Sequence, residues 1–282
     1  MKKRVLSIFL CLSMFLSLLT LASCSDKNNP PDGSGTNPPA AETESIAILY
    51  ENDVHCAVDG YSKLAAMKAE LKGVYDHVGV VSSGDFVQGG TLGAVSKGEY
   101  IINLMNKVGY DAIALGNHEF DYQLARLVEL NNLSNTKFLS CNFAKAGEDK
   151  SYFDSYTIVS YGDVEIAYIG ITTPSTISSS NPAQFKNEDG EIIYTFNEAD
   201  MYSLVQANID AAEKAGADYV IALSHIGYSE AGDFTDITDI IENTDGFDVV
   251  LDAHSHSVIE EMTVKDKSGD DVLLSSTGTK FE

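Results

Sequence analysis

The feature of this 282-residue chain that most constrains its fold is an alternation of short apolar segments with helical patterns. Strand-like runs of Val, Ile and Leu occur at 46–50, 78–81, 112–115, 219–223 and 249–251. Apolar residues at helical spacing lie between them, including helices predicted over about 119–131 and 201–215. Two further pairs of strand segments, joined around 161–163 and 267–269, are interpreted as hairpins. The alternation predicts an α/β fold.

Side chains that can bind metal ions follow five of these strand segments. They are Asp53 and His55, Asp85, Asn117 and His118, His225, and His254 and His256, so that five of the six histidines occupy strand ends. His77 precedes a strand and is interpreted as a surface residue. Because ligands of open α/β sheets bind beyond the carboxyl ends of the strands, we expect the strand-end side chains to meet in one crevice.

Seven of these residues form a ligand set of carboxylates, imidazoles and one amide: Asp53, His55, Asp85, Asn117, His225, His254 and His256. Such ligands suit divalent ions such as Zn²⁺, Mn²⁺, Co²⁺ or Mg²⁺. They are too many for one tetrahedral ion, but they suit two ions that share a bridging carboxylate. Two ions about 3.5–4 Å apart can stabilise an in-line displacement at phosphorus and lower the pKa of water. The sequence therefore predicts a centre of two divalent metal ions.

Each of these residues also has an ordinary structural interpretation when it is taken alone. An aspartate or asparagine after a strand commonly caps a helix. A single histidine at a strand end is more often a surface residue than a ligand. The occurrence of all seven residues behind five strands favours the metal-binding interpretation.

The motifs at the strand ends resemble those of a known family. In chain order they are Asp53-Val54-His55, Gly84-Asp85, Gly116-Asn117-His118-Glu119, Ser224-His225 and His254-Ser255-His256. They resemble the five motifs of the calcineurin-like metallophosphoesterases, and the first three are similar to those of the bacterial 5′-nucleotidase, 2′,3′-cyclic-nucleotide phosphodiesterase and UDP-sugar hydrolase family. The resemblance extends from about residue 45 to the C-terminus. It implies a four-layer α/β sandwich of two mixed β-sheets flanked by helices, with the metals at one rim.

The resemblance also implies a role for each residue. One metal site would contain Asp53, His55, Asp85 and His256, and the other would share Asp85 with Asn117, His225 and His254. Some family members have glutamine at the position of His256. The imidazole of His118 would contact the substrate phosphate and stabilise the transition state. Asp121, three residues further along the predicted helix, would fix the tautomer of His118 and favour its charged form.

The chain departs from the family pattern at two places beside the motifs. Cys56 follows the first motif, where the family commonly has glycine, and is interpreted as a small-residue replacement. Asp252-Ala253 stands before the last motif, where many members have two glycines. Neither departure removes a ligand.

The activity implied by the resemblance is hydrolysis of nucleoside 5′-monophosphates outside the cytoplasm. A 2′,3′-cyclic-nucleotide phosphodiesterase and a UDP-sugar hydrolase are the near alternatives. A non-catalytic, metal-binding surface lipoprotein is a different class, and the pair His118 and Asp121 argues against it because a pure binder has no need of them. Nucleic acid is not an expected partner, because 42 acidic against 18 basic residues give a formal charge of −24 that repels polyanions. The oligomeric state is left open.

The N-terminus has the pattern of an export signal. Residues 1–23 begin with a basic segment and continue as an apolar run, which is typical of a signal peptide, with an uncleaved membrane anchor as the alternative. Leu21-Ala22-Ser23-Cys24 resembles the lipobox of bacterial lipoproteins, so Cys24 would carry the lipid anchor. Residues 24–44 are rich in Pro, Gly, Ser and Asn and are interpreted as a flexible tether. We therefore expect a membrane-anchored lipoprotein that faces the periplasm or the cell exterior.

Residues 45–282 are assigned to the metallophosphoesterase domain. We expect them to lack the C-terminal domain that binds the nucleobase in relatives, so that the chain would be a fragment. Of the four cysteines, we expect Cys11 to be removed with the signal peptide and Cys24 to carry the lipid. Cys56 and Cys141 are expected to be unpaired buried thiols, with a disulfide between them as the alternative.

Overall fold

The computed structural model of the protein describes residues 44–148, 150–229 and 236–281. The predicted signal peptide, Cys24 and the tether up to residue 43 lie outside the described residues. Within the described ranges, no helix combines the length and the apolar character that a membrane span requires.

Strands and helices alternate along the chain, as the sequence predicts. The described residues form twelve strands: β1 (Ile46–Glu51), β2 (His77–Ser82), β3 (Ala112–Ala114), β4 (Phe138–Leu139), β5 (Ala144–Lys145), β6 (Tyr156–Tyr161), β7 (Val164–Thr172), β8 (Tyr194–Thr195), β9 (Tyr219–His225), β10 (Val249–Leu251), β11 (Val258–Lys265) and β12 (Asp271–Thr277). They also form seven α-helices: α1 (Val58–Leu71), α2 (Gly90–Ser96), α3 (Glu99–Val108), α4 (Leu124–Leu133), α5 (Thr176–Ser179), α6 (Met201–Lys214) and α7 (Ile237–Asn243).

The strands form two large sheets and a small one. A four-stranded sheet has the order β1-β2-β3-β4, and a six-stranded sheet has the order β11-β12-β10-β9-β7-β6. The six-stranded sheet is mixed, because β7, β9, β10 and β12 run parallel while β6 and β11 pair antiparallel at its two edges. The four-stranded sheet is parallel throughout, which differs from the expectation that both sheets are mixed. Successive strands of this sheet are connected by helical crossovers, and such crossovers favour parallel pairing.

Three separate hydrophobic clusters fix the arrangement of layers. The central cluster joins the sheets, with Val81 and Ala112 from the smaller sheet packed with Ile221 and Leu251 from the larger one. A second cluster lies between the four-stranded sheet and helices α1, α3 and α4. A third lies between the six-stranded sheet and helices α6 and α7. Three apolar interfaces require four layers, so the predicted four-layer α/β sandwich is confirmed.

The predicted helix over about 119–131 is wrong at its start. Residues His118–Phe120 form a short 3₁₀ turn, and α4 begins only at Leu124. Between them, Gln123 has a φ of 74°, a left-handed conformation that interrupts any continuous helix. The chain therefore changes direction just after the third ligand motif instead of continuing as a helix.

The two cysteines of the described chain are not paired with each other. Cys56 and Cys141 are both buried free thiols, as the sequence predicts. The Sγ atom of Cys56 donates a hydrogen bond to the backbone oxygen of Val87, at 3.1 Å. Burial raises the pKa of both thiols to about 12. Both thiols are therefore uncharged at neutral pH.

Candidate metal centre

Hydrogen bonds tie the strand ends of the two sheets into one site. The amide of Asp53 donates to the backbone oxygen of Gly84 at 3.0 Å, which joins the loops after β1 and β2. From the other sheet, the Nδ1 atom of His225 donates to the backbone oxygen of Ser83 at 2.8 Å. The hydroxyl of Ser83 donates to the backbone oxygen of Leu251, also at 2.8 Å. The carboxyl ends of β1, β2, β9 and β10 therefore meet at one rim.

The predicted ligands come together at this rim in three overlapping groups. In each group, one nitrogen or oxygen atom per residue lies within 4.8 Å of the others: Asp53, His55 and His256; His55, Asp85 and His118; and Asp85, His225 and His254. These groups contain six of the seven predicted ligands together with His118. The seventh, Asn117, is buried beside His118 in the loop after β3.

The side chain of Asp53 is oriented by its neighbours. Its Oδ2 atom accepts hydrogen bonds from the side-chain amide of Asn52 at 2.8 Å and from the backbone amide of His254 at 3.0 Å. Its Oδ1 atom lies 3.3 Å from the Nε2 atom of His256 and 3.9 Å from that of His55. One oxygen is therefore held by the protein and the other faces the imidazoles.

Three buried ligand atoms at this rim have no hydrogen-bond partner among the residues that the structure describes: the Oδ1 atoms of Asp53 and Asn117 and the Nε2 atom of His225. The Nε2 atom of His225 lies 3.1 Å from Asp85 Oδ2, but without the geometry of a hydrogen bond. Unpaired buried polar atoms are rare in proteins, because each costs the lost interaction with water. A carboxylate oxygen, an amide carbonyl oxygen and an imidazole nitrogen are typical ligands of divalent cations. The donor set therefore fits metal ions.

The pKa values of the histidines depend on their surroundings. Burial lowers the pKa of His254 to about 4 and also lowers that of His55, so both are neutral and can donate a lone pair. Burial also acts to lower the pKa of His225, but the Asp85 carboxylate outweighs it and the net shift is upward. Burial acts to raise the pKa of Asp85, but the charge of His225 outweighs burial, and the net shift of the Asp85 pKa is downward. His225 therefore carries a proton that metal binding has to displace.

Five of the seven predicted ligands have left-handed backbone conformations. Their φ angles are 50° for Asp53, 46° for His55, 60° for Asp85, 76° for His254 and 53° for His256. A non-glycine residue in this region costs roughly 1–2 kcal/mol. Such strain persists only where the surrounding structure over-determines it, and it concentrates at functional sites. The strained backbone turns side chains that would alternate along a strand toward one rim.

Glycine allows two of the ligand loops to approach each other closely. Gly84 has a φ of 97°, and a Cβ atom added to it would collide with the amide of Gly116. A Cβ atom added to Gly116 would collide with the Oδ1 atom of Asp85 and lie 2.6 Å from the ring of His225. The close spacing of the ligands thus depends on the absence of side chains at both positions.

His118 and Asp121 form a hydrogen-bonded pair beside the predicted ligands. The Nδ1 atom of His118 lies 2.7 Å from Asp121 Oδ2, and their side chains are 29% and 23% exposed. The pair spans three positions of a 3₁₀ turn, in which residues i and i+3 are almost eclipsed, rather than one face of an α-helix. The hydrogen bond that His118 donates to Asp121 raises the pKa of His118, although burial opposes the shift. The ring of His118 lies 5.3 Å from that of His55.

Asn52 is a residue of the site to which the sequence assigned no role. Its Nδ2 atom donates to Asp53 and also to the backbone oxygen of Gly278, each at 2.8 Å. Its Oδ1 atom accepts from the amide of Thr277 at 3.0 Å and from the hydroxyl of that residue at 2.6 Å. The partners at 277 and 278 are more than 200 positions away, so no local pattern indicates the role.

The sequence also assigned no role to Glu119, although this residue ends the third ligand motif, Gly116-Asn117-His118-Glu119. Its buried carboxylate accepts hydrogen bonds from four backbone amides in the loops after β2 and β3. The hydrogen bonds from backbone amides act to lower the pKa of Glu119. Burial and the charge of Asp85 outweigh them, so that the net effect raises this pKa to about 7. The sequence shows an acidic residue in the motif but not that its partners are main-chain groups.

Comparison with known proteins places these features in a family. A family model described as calcineurin-like phosphoesterase matches residues 46–258. The snake venom 5′-nucleotidase of Gloydius brevicauda is 30% identical over 244 residues, covering 78% of this chain and 38% of that protein. Protein UshA of Salmonella pullorum is 30% identical over 203 residues, covering 68% of this chain and 36% of that protein. The 5′-nucleotidase precursor of Thermus thermophilus shares the fold, with a TM-score of 0.69 at 22% identity, over 83% of this chain and 48% of that one.

The chain spans less than half the length of each of these three relatives. The family match nevertheless covers the four-stranded sheet, most of the six-stranded sheet and every strand end that carries a predicted ligand. The chain belongs to the calcineurin-like phosphoesterases, a family of metal-dependent phosphoester hydrolases.

Proposed function

We propose that the protein hydrolyses phosphoesters at a centre of two divalent metal ions, and that nucleoside 5′-monophosphates are its substrates. The observation that carries the proposal is that three buried ligand atoms at one rim, on Asp53, Asn117 and His225, are unpaired within the described chain, beside the pair of His118 and Asp121. A site that only bound metal would need the first feature but not the second.

The proposed metal sites use the seven strand-end ligands. One ion would be held by Asp53, His55, Asp85 and His256, and the other by Asp85, Asn117, His225 and His254. When bound, two divalent ions supply Lewis-acid catalysis and lower the pKa of water toward neutrality. The carboxylate of Asp85 belongs to two of the three ligand groups, which supports its role as the bridge.

The proposed role of His118 is to bind the phosphoryl group. Asp121 accepts a hydrogen bond from Nδ1 and favours the charged imidazole, in which Nε2 also carries a proton and can donate a hydrogen bond to a phosphoryl oxygen. Negative charge on the phosphoryl oxygens increases as phosphorus becomes five-coordinate. A charged imidazole therefore stabilises the transition state more than the ground state, and this difference is what accelerates the reaction.

The choice of nucleoside monophosphates is supported by relatives that are named 5′-nucleotidases. Cyclic nucleotides and UDP-sugars remain the alternatives within the same chemistry. The charge of −24 disfavours polynucleotides, since a long polyanion is repelled along its whole length while a mononucleotide needs only local compensation. We further propose that the protein is exported and anchored through a lipid on Cys24, which the composition of residues 1–44 supports.

The test of the proposed activity is phosphate release by the purified protein supplied with Mn²⁺. AMP, 2′,3′-cyclic AMP, UDP-glucose and bis-p-nitrophenyl phosphate are compared as substrates. AMP hydrolysis that His118→Ala and Asp85→Ala both abolish, while Asp111→Asn leaves it intact, supports the proposal. Asp111 is a suitable control because its carboxylate accepts a backbone amide at the other end of β3, away from the ligands. Binding of two ions without hydrolysis of any substrate would favour the non-catalytic surface protein.

A further inference from the structure

Glu119 joins the two loops that carry the central ligands. Its Oε2 atom accepts hydrogen bonds from the amides of Asp85 at 2.8 Å and Gly116 at 2.7 Å. Its Oε1 atom accepts from the amides of Phe86 at 2.8 Å and Val87 at 3.2 Å. The side chain is fully buried. One carboxylate therefore satisfies four main-chain donors from two different strand ends.

The hydrogen-bond partners of this carboxylate are all donors. All four are backbone N–H donors, so a proton on either oxygen would point at another donor and find no acceptor. Four donors compensate a buried negative charge in the way that a cation would. In the described part of the chain, no ion pair includes Glu119. The four hydrogen bonds thus favour the ionised form of Glu119, in opposition to burial and the charge of Asp85, which raise its pKa.

The link through Glu119 joins a strained loop to the loop that carries Asn117. The first loop carries Asp85 in a strained conformation, with a φ of 60°. The second carries Asn117 and His118, and its contact with the first is completed by a 2.8 Å hydrogen bond from the His118 amide to Asp85 Oδ1. Strain of this kind survives only where several interactions hold the residue in place. Two of those interactions on Asp85 are the bonds from its own amide and from that of His118.

We propose that Glu119 is a positioning residue that sets the spacing between Asp85 and Asn117, and through it the affinity of the centre for divalent metal. The inference rests on the proposed function only in taking these two residues as ligands. It assigns Glu119 no contact with substrate or metal. Partners that orient metal ligands typically change metal affinity by about 10–100-fold when they are removed.

The test compares Glu119→Gln with Asp111→Asn in the full-length protein. Glutamine has the size of glutamate, but its NH₂ group faces donors, so at least two of the four hydrogen bonds are lost. Asp111→Asn makes the same chemical change in another carboxylate that accepts a backbone amide, that of Val80 at 2.8 Å. Mn²⁺ affinity is measured by calorimetry, and amide hydrogen exchange is measured on the metal-free proteins.

For Glu119→Gln we expect a folded protein, faster exchange in residues 84–87 and at 116, and Mn²⁺ affinity reduced by about 10–100-fold. Asp111→Asn should match the wild type in both measurements at the site. A folded Glu119→Gln protein with wild-type exchange and wild-type affinity would overturn the inference.

Two further outcomes are also decisive. If Glu119→Gln does not fold, Glu119→Asp replaces it, because aspartate keeps the charge but is too short to reach both loops. Reduced Mn²⁺ affinity in that variant supports the inference, and unchanged affinity overturns it. If the wild type binds no Mn²⁺, both the inference and the proposed function fail. If the wild type binds Mn²⁺ and the Glu119 variants bind it equally well, the inference fails while the proposed function stands.

Discussion

Replacing Asp121 with asparagine should slow hydrolysis without removing the metal ions. Asp121 belongs to none of the three groups of ligand atoms, and its contact at the site is the 2.7 Å hydrogen bond to Nδ1 of His118. Asparagine has the same size and can still accept that hydrogen bond through its carbonyl oxygen. The substitution therefore removes the charge of the acceptor and leaves the packing in place.

The size of the effect follows from the type of hydrogen bond that is lost. Hydrogen bonds to charged groups contribute about 1.5–3 kcal/mol, roughly twice a neutral one. The difference between the two types is about 1–1.5 kcal/mol, and because both side chains are about a quarter exposed, solvent screening reduces it to about 0.5–1 kcal/mol. Because about 1.4 kcal/mol corresponds to a tenfold change in rate, kcat/KM for AMP should fall about 2- to 5-fold at neutral pH.

The pH dependence gives a second, independent measure. Asp121 raises the pKa of His118, so the charged imidazole is present below that raised pKa and is lost as the pH increases through it. In Asp121→Asn the pKa of His118 falls, and the alkaline limb of the rate profile should move to lower pH. The profile is measured with AMP and saturating Mn²⁺ for both proteins. An unchanged limb would contradict a charged imidazole in the transition state.

A double-mutant cycle separates this role from a general effect on structure. In a His118→Ala background, Asp121→Asn should have almost no further effect, because the imidazole that it orients is absent. Rate losses that simply add would refute the functional coupling of the two residues. Equal Mn²⁺ binding by all four proteins serves as the control that the ligands are intact.

Three further predictions concern the metal centre and the thiols. Gly116→Ala should abolish Mn²⁺ binding measured by calorimetry, because its Cβ atom collides with ligand side chains, whereas Gly73→Ala, at a helix end, should bind normally. Metal binding should release protons, and Mn²⁺ affinity should rise with pH, since His225 is protonated in the metal-free site. Calorimetry in buffers of different ionisation enthalpy measures the released protons. A Mn²⁺ affinity that does not change with pH would count against the prediction. Cys56 and Cys141, whose pKa values are raised to about 12, should resist a thiol reagent until guanidinium unfolds the protein; fast labelling of the native protein would contradict their burial.

The sheets and the approximate location of the site could be predicted from the sequence. Strand segments such as 46–50 and 219–223 are continuous apolar runs, because both faces of each sheet are covered, and such runs are easily recognised. Parallel strands bring their carboxyl ends to one edge, so Asp53 and Asp85, which follow the parallel pair β1 and β2, could be expected together from the sequence alone. This inference needed only strand direction and the position of polar residues after each strand.

The remaining features depend on contacts that no local pattern encodes. Gln123 adopts a left-handed conformation that its residue type does not favour, so the boundary of the helix after the third motif was misplaced. Glu119 bonds to main-chain amides, and every residue type except proline provides one. Its partners in the loop after β2 are more than 30 positions away and are brought to it only by the pairing of the adjacent strands. Asn52 contacts the chain 225 positions later.

The strained backbone at the rim explains why the ligands occupy these positions at all. Strand geometry alone would direct successive side chains to opposite faces of a sheet, so Asp53 and His55 would share a face only while the strand continued. Here the strand has ended, and left-handed residues turn the chain so that ligands from both sheets face one point. The strain is offset by main-chain hydrogen bonds, such as the one from the amide of His55 to the backbone oxygen of Asp85. The backbone of the rim, held by hydrogen bonds between its own loops, therefore orients the ligands toward one point.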